Sequence, residues 1–564
     1  TLDANTTASY NTAVGHQCLS ANTTGDGNAA FGRWSLYSNT TGENNLALGQ
    51  NGLLYNTTGS NNVAVGTNAL YTATTADQNT AVGRSSLYAN TSGASNVGLG
   101  AYSLLANTTG GNNTALGVDT LKTNTTGNNN VAIGLNALET SNADNNIAIG
   151  VDAGRLTSTG TNNIFIGRTA GEANTTASNN TAVGYAALAL NTTGSQNVAV
   201  GASALDANTT GAYMVALGYS ALGANTTANS GVAVGYLALA ANTTGGENTA
   251  VGRLALTTCT TGHNNIAMGY AALRMLETAT YNIAIGNYAA DAITTGNDNV
   301  AVGYSSLSED TTGGHNTSVG NSSLQNNTTG SNNVAMGRYA GYANTTASYN
   351  VYLGNNAGYN CTTGSYNVGI GDRVLAGATN TGTQNTMIGH WCGYDITSGN
   401  YNTAMGASTA GNITTGDYTT AVGRLAAHDL TTGDNNTCYG ISSGYTITTG
   451  NSNVCIGPHA ANGQLTTDDN ELWIARGAAA HNNAATWIHG NAGGSCYQGD
   501  NSSSWSTTSD ERLKKNIVDN TKGLTEINQI RVTNFEYKLQ NEIDMSEFPL
   551  ADDPKQVVLG GGQE

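Results

Sequence analysis

A triplet of large, small and large apolar residues ending in glycine recurs every seventeen residues along most of this chain. Val63-Ala64-Val65-Gly66 is typical, and the glycines at 15, 32, 49, 66, 83 and 100 begin a series that runs to Gly457. One step is of sixteen residues (Gly134 to Gly150) and one of eighteen (Gly371 to Gly389). A fixed period of this size predicts a solenoid, each repeat being one unit stacked on its neighbours. The class is all-β, a parallel β-solenoid (β-roll or β-helix) of about 27 rungs over residues 1–460. At the inter-strand spacing of ~4.8 Å the stack would reach about 130 Å.

With each glycine as position 0, position −1 is large and apolar (Val14, Phe31, Leu48, Ile133, Met268, Tyr439) and −3 is mostly β-branched (Val63, Thr80, Ile147, Thr181). Residues two apart in a strand share a face. The reading therefore turns −3 and −1 into the coil, together with a leucine at +4 (Leu19, Leu36, Leu70, Leu188). Position −2 is mostly Ala (Ala13, Ala64, Ala132, Ala199). An apolar residue on the second face predicts burial there too, here against identical chains about a three-fold axis. Where +4 is Gly an aromatic often follows (Gly341-Tyr342, Gly358-Tyr359, Gly393-Tyr394, Gly444-Tyr445), which predicts that volume is restored from the next position.

Asn fills −4 in nearly every rung (Asn11, Asn62, Asn79, Asn265, Asn453) and predicts a stacked amide ladder. The rest of the rung is an NTTG turn, as at 39–42, 56–59 and 242–245, whose Asn and Gly tolerate left-handed backbone. The NTT triplets match the N-glycosylation acceptor, yet their place in the turn explains them without sugar. Thr rows order water on ice-binding solenoids, but here they are broken at Ala73, Ser141 and Thr157.

Composition narrows function. With 74 Gly, three Pro, four Phe and 10% charged residues, the chain is poor material for one large globular core. Net charge is −18, and up to residue 508 the only basic residues are ten Arg and Lys122, so no patch exists to hold nucleic acid. No apolar run reaches the ~18 residues of a membrane span. Acidic residues (Asp3, Glu43, Asp119, Glu172, Asp291, Asp434) are scattered, not paired as glycoside hydrolysis requires. The eight His show no zinc spacing, His481 and His489 being the nearest to a metal pair, and no cofactor is implied. Cys438 and Cys455 stand one period apart and read as small apolar residues in an alanine slot. The chain opens mid-repeat at TLDANTT, which reads as a piece of something longer.

The unit N-[NTV]-x-A-[VI]-G-x-x-[AS]-L resembles the head repeats of trimeric autotransporter adhesins over roughly residues 5–460. That resemblance implies trimers of parallel β-rolls and says nothing of ligand. After Gly457 the period breaks, and NELWIARG (470–477) and ATWIHGN (485–491) predict a β-rich neck over 461–508. Residues 506–538, STTSDERLKKNIVDNTKGLTEINQIRVTNFEYK, then resemble the start of the peptidase S74 intramolecular chaperone of phage tail fibres and tailspikes. An amphipathic helix is predicted near 521–530, with Leu524, Ile527 and Ile530 on one face.

The resemblance implies an α+β chaperone domain, present here as its N-terminal part (509–564), that trimerises the fibre and then cuts itself off. Ser509 would be the nucleophile and Lys514 its base, with the cut between Thr508 and Ser509. The family's G-x-I-A-Q-E continuation is replaced by VVLGGGQE (557–564). The expected function is a structural and adhesive phage tail fibre, a homotrimeric rod carried on the virion. Its partners would be other tail proteins and a host-surface receptor, either glycan or outer-membrane protein, with no nucleic acid and no membrane insertion. The alternatives are a bacterial trimeric surface adhesin and, behind it, an ice-binding solenoid.

Overall fold

In the computed structural model, residues 2–477 and 486–498 are described, all within the first of the chain's two compact units, Thr1–Ser503. Twenty-seven three-residue strands, β1 (Thr12–Val14) to β27 (Val454–Ile456), stack in sequence order into one parallel sheet. Register follows the repeat, so that Ala64 faces Ala81 and Val65 faces Val82. The sixteen- and eighteen-residue steps are absorbed without a slip, Ala132 facing Ala148 and Gly369 facing Met387. No helix occurs among the described residues.

The two faces of the strand are the reverse of the sequence expectation. The −2 alanines point into the coil and are fully buried within a single chain, as at Ala64, Ala132 and Ala199. The −3 and −1 residues point outward: Leu48 is 48% exposed, Met268 42% and Ile285 40%. The physical reason is width. A seventeen-residue turn encloses so little space that a +4 leucine from the opposite side already fills it, leaving room for one methyl group at the strand's centre.

Exceptions at −2 show how tightly this is set. Phe165 takes an alanine position on β10 (Ile164–Ile166), and the +4 residues on its own rung and the rung before are Gly171 and Gly154. A Cβ on Gly154 would stand 2.6 Å from the Phe165 ring, and one on Gly171 would meet the same ring. Tyr352 is matched in the same way by Gly341 and Gly358, Met387 by Gly393, and Cys438 by Gly444. Volume lost at +4 is thus restored from −2 across the coil. The tyrosines at +5 lie outside and stack on one another instead, Tyr342 on Tyr359 at 5.0 Å.

Each rung turns its corners with left-handed residues at −5, +2 and +4, for example Asn51 (φ 59°) and Leu53 (φ 51°). The conformation costs a leucine about 1–2 kcal/mol, and full burial of its side chain contributes about 1.5–3 kcal/mol, so burial wins at +4. Position 0 is different. Gly49 has φ of 134°, and a Cβ there would stand 2.7 Å from the carbonyl carbon of Gly66 in the next rung. Only glycine meets both conditions, which is why the period is written in glycine.

Two amide ladders run inside the coil. The −4 ladder was legible: Asn45 donates from Nδ2 to Asn28 Oδ1 (3.1 Å) and to the Gly59 carbonyl (2.8 Å), and the Asn62 backbone N–H donates to Asn45 Oδ1 (3.0 Å). The second consists of the turn asparagines themselves. They are fully buried and do not adopt left-handed backbone; Asn39 donates to Asn22 Oδ1 (2.7 Å) and to the Gly42 carbonyl (3.0 Å). As glycosylation acceptors their amides face the wrong way. Where a run of this ladder meets Ala73, Cys259 or Cys361, the preceding amide oxygens of Asn56, Asn242 and Asn344 are left without a partner. From Ile396 to Ile447 the same position is apolar throughout (Ile396, Ile413, Leu430, Ile447). Amides and hydrocarbons segregate into blocks because every junction strands a polar atom.

The coil closes on a larger residue. β28 (Leu472–Ala475) still pairs parallel with β27, placing fully buried Trp473 against Cys455. β29 (Thr486–Gly490) and β30 (Cys496–Gln498) then add on antiparallel. His489 packs 4.3 Å from the Trp473 ring and its Nε2 lies 2.6 Å from Glu471 Oε2. The helix predicted near 521–530 lies outside the described residues.

Candidate functional site

The outward −3 and −1 positions form one surface that follows the whole stack. None of these positions in β1 to β27 carries a charged residue. A long contiguous apolar surface of this kind marks a place where another molecule docks. Position +1 flanks this stripe, and there arginine recurs at every fifth glycine: Arg84, Arg168, Arg253, Arg338 and Arg424, all exposed. Arg253 and Arg338 lie over neighbouring tyrosine rings, 5.5 Å from Tyr270 and 4.6 Å from Tyr339.

A second surface is built from +2, +5 and +6. Its aromatics fall mainly in two groups, over residues 34–102 and 339–445, and several of the large −2 residues and +4 glycines lie in the second. Successive +5 residues there are Tyr342, Tyr359, Ala376, Tyr394, Gly411, His428 and Tyr445. Ala376 and Gly411 interrupt the aromatic file, and each interruption is a depression, of about 420 and 200 Å³. Trp391 stacks on Tyr394 at 5.1 Å and His428 on Tyr445 at 5.1 Å.

The threonine turn offers less. The first Thr spends its hydroxyl on the next rung, Thr23 Oγ1 donating to the Thr40 carbonyl at 3.0 Å, so one exposed Thr per rung remains in single file. Among the described residues no group of three His, Cys, Asp or Glu could hold a metal ion. Of the two neck histidines, His481 lies outside the described residues and His489 is engaged with Glu471. Burial pushes the Cys361 and Cys392 thiols up to about 12, so neither is a thiolate at neutral pH. Cys438 and Cys455 face each other in register as free, buried residues, as the alanine-slot reading expected. No described helix is long and apolar enough to cross a membrane.

Ser509, Lys514 and Thr508, the sequence-predicted cleavage site, lie outside the described residues. Comparison with known proteins bears on this segment. Residues 509–555 match the family Peptidase_S74, chaperone of endosialidase. The match begins at Ser509 itself. A chaperone-of-endosialidase segment following a solenoid of 27 parallel strands fits a phage tail fibre with its chaperone domain. No curated protein matches the chain.

The sequence did not disclose the outward stripe or the buried turn ladder. The first does carry a signal in the sequence. Residues at −3 and −1 vary in size from Ala to Tyr, whereas −2 is Ala in most rungs and larger mainly where +4 is Gly, and restriction of size marks the crowded side.

Proposed function

We propose that the chain is a structural and adhesive phage tail fibre: a homotrimeric rod that carries host attachment, folded and trimerised by its chaperone-of-endosialidase segment. The observation that carries this reading is the joining, in one chain, of that segment to a 27-strand solenoid whose outward −3 and −1 stripe is uncharged. In this reading the stripe is where chains meet. The apolar contact supplies affinity, and the arginines at every fifth rung border it with charge. Ser509 and Lys514 release the chaperone after assembly. The receptor is a host-surface glycan or protein, and the fibre reaches the virion through other tail proteins.

The test is assembly of the protein expressed with a complete chaperone domain. Sedimentation is expected to give a trimer. Met268→Glu with Ile285→Glu is expected to leave folded coils that stay monomeric, because charges would be buried without partners. A double variant that still trimerises would remove the stripe from the interface. Adsorption of purified fibre to bacteria, competing with phage, tests attachment.

A further inference from the structure

We infer that the interrupted aromatic file over residues 339–428 is a saccharide-binding groove, taking neutral hexopyranose units of a surface polysaccharide. This names a receptor class and rests on the attachment reading above.

The groove starts from the irregular rungs. Ala376 and Gly377 stand where the neighbouring rungs carry Tyr359-Asn360 and Tyr394-Asp395. The missing side chains open a depression of about 420 Å³, within the range of about 300–1,000 Å³ usual for small-molecule sites. Tyr339 and Tyr359 form one wall, with ring centroids 5.9 Å apart and planes at 88°. On the other side the Tyr394 ring lies across Gly377, where a Cβ would meet Cδ1 at 2.5 Å. One rung further, Gly411 opens a second depression of about 200 Å³ bounded by Trp391, Tyr394 and His428. Tyr394 is common to both, so the two depressions are adjoining subsites along the coil axis. Two rungs separate successive aromatic walls, about 9.6 Å at the usual inter-strand spacing.

The chemistry of the lining selects the ligand. Flat, rigid rings present their negative faces to the slightly positive C–H groups on one side of a pyranose. Polar groups converge between them. Asn360 is held by donating from Nδ2 to the Ala376 and Gly377 carbonyls at 2.8 and 3.0 Å, which leaves its Oδ1 to accept from a hydroxyl. Asn356 offers a second amide, and Arg373, exposed and without an ion pair among the described residues, offers a fork of donors. A lipid or apolar peptide would leave these groups unpaired, and a purely charged ligand would not use the rings. The groove uses +2, +5 and +6, apart from the −3 and −1 stripe, so assembly through the stripe does not employ its residues.

Titrate the full trimer with maltohexaose, mannohexaose, chitohexaose and hexagalacturonic acid, following tryptophan fluorescence and heat. At least one of the three neutral hexamers is expected to bind. Trp391→Ala and Tyr359→Ala should each weaken it tenfold or more, while Tyr418→Ala, on the −5 tyrosine stack with Tyr401 outside this surface, leaves affinity unchanged. Circular dichroism and the trimer's sedimentation confirm that these surface variants fold. Binding by none of the probes, by hexagalacturonic acid alone, or binding that Trp391→Ala and Tyr359→Ala leave intact, overturns the proposal. Adsorption separates the two readings. Saccharide binding lost in the variants with adsorption to bacteria unchanged keeps the groove and removes it from attachment. Wild-type fibre that binds saccharide yet never adsorbs removes the attachment reading alone.

Discussion

Asp310 accepts a hydrogen bond of 2.8 Å from the side-chain amide of Asn327 and occupies the turn-ladder position between Ile293 and Asn327. It also accepts from the Gly313 N–H (2.7 Å) and from Asn316 Nδ2 (3.2 Å). A carboxylate there has three donors but no countercharge, and burial raises it from the ordinary 3.8 to about 7.

The sign follows from linkage. Below the unfolded value both states hold the proton and the rung has its full stability. Between about pH 4 and 7 the unfolded chain ionises while the folded one keeps its proton, so stability falls by about 1.4 kcal/mol per unit and levels off above 7. Hydrogen exchange of the rungs around 293–327 should therefore quicken from pH 5 to pH 8 beyond the intrinsic pH effect. Asp310→Asn should abolish the excess. Equal pH dependence in both proteins would contradict a buried, proton-holding Asp310.

The broken amide ladder predicts a gain. Ala73 separates Asn56, whose Oδ1 has no partner, from the run beginning at Asn90. Ala73→Asn would join the two runs, since asparagine fits this position beside an alanine at the third residue on, as Asn174 does beside Ala177. Satisfying a stranded acceptor is worth about 1–3 kcal/mol. A raised denaturation midpoint for this rung block is expected, and an unchanged or lower one would count against the ladder as a source of stability.

Phe165 and Gly171 should be coupled. Gly171→Leu places a side chain in the phenyl ring and is expected to cost well over 1 kcal/mol. Combined with Phe165→Ala it restores the ordinary rung, Ala at −2 and Leu at +4. The double-mutant cycle should return a coupling of about 1–3 kcal/mol, and additivity would mean the pair does not share one volume.

Much of the fold was legible because the repeat is written in residues with single roles. Glycine at 0, Asn at −4 and Leu at +4 each predicted their place. What failed was the assignment of faces, since a strand of Val-Ala-Val is apolar on both sides and periodicity alone gives no direction. The turn asparagines misled for another reason: NTTG is also a common exposed turn, and its burial is betrayed by apolar replacements at the same place, such as Leu276, Ile293, Ile396, Ile413 and Leu430. The aromatic groove depends on what is missing at Ala376 and Gly411, which a reading of motifs passes over.

The cleavage reading is tested on a chain with a complete chaperone domain. A denaturing gel should show scission before Ser509 once trimers form, and intact chains for Ser509→Ala and Lys514→Ala. Lys514 must lose its proton near neutral pH to serve as base, which requires burial in the assembled domain. Wild-type chains that remain whole after assembly, or variants that are still cut, would exclude the Ser–Lys pair.

Near-identical rungs give a folding chain many almost equivalent partners, since the strand that belongs on β10 can also lie on other alanine-centred strands with similar backbone bonding. Phe165 with Gly154 and Gly171, and Tyr352 with Gly341 and Gly358, break that degeneracy. Each bulky ring seats without collision only where glycines stand at +4 on its own rung and on the rung before. A strand that skipped a rung would drive the ring into a leucine, so the mistake unravels while it is still local. The oversized residues thus act as indexing marks on an otherwise uniform ruler, and they let several hundred residues count themselves into place.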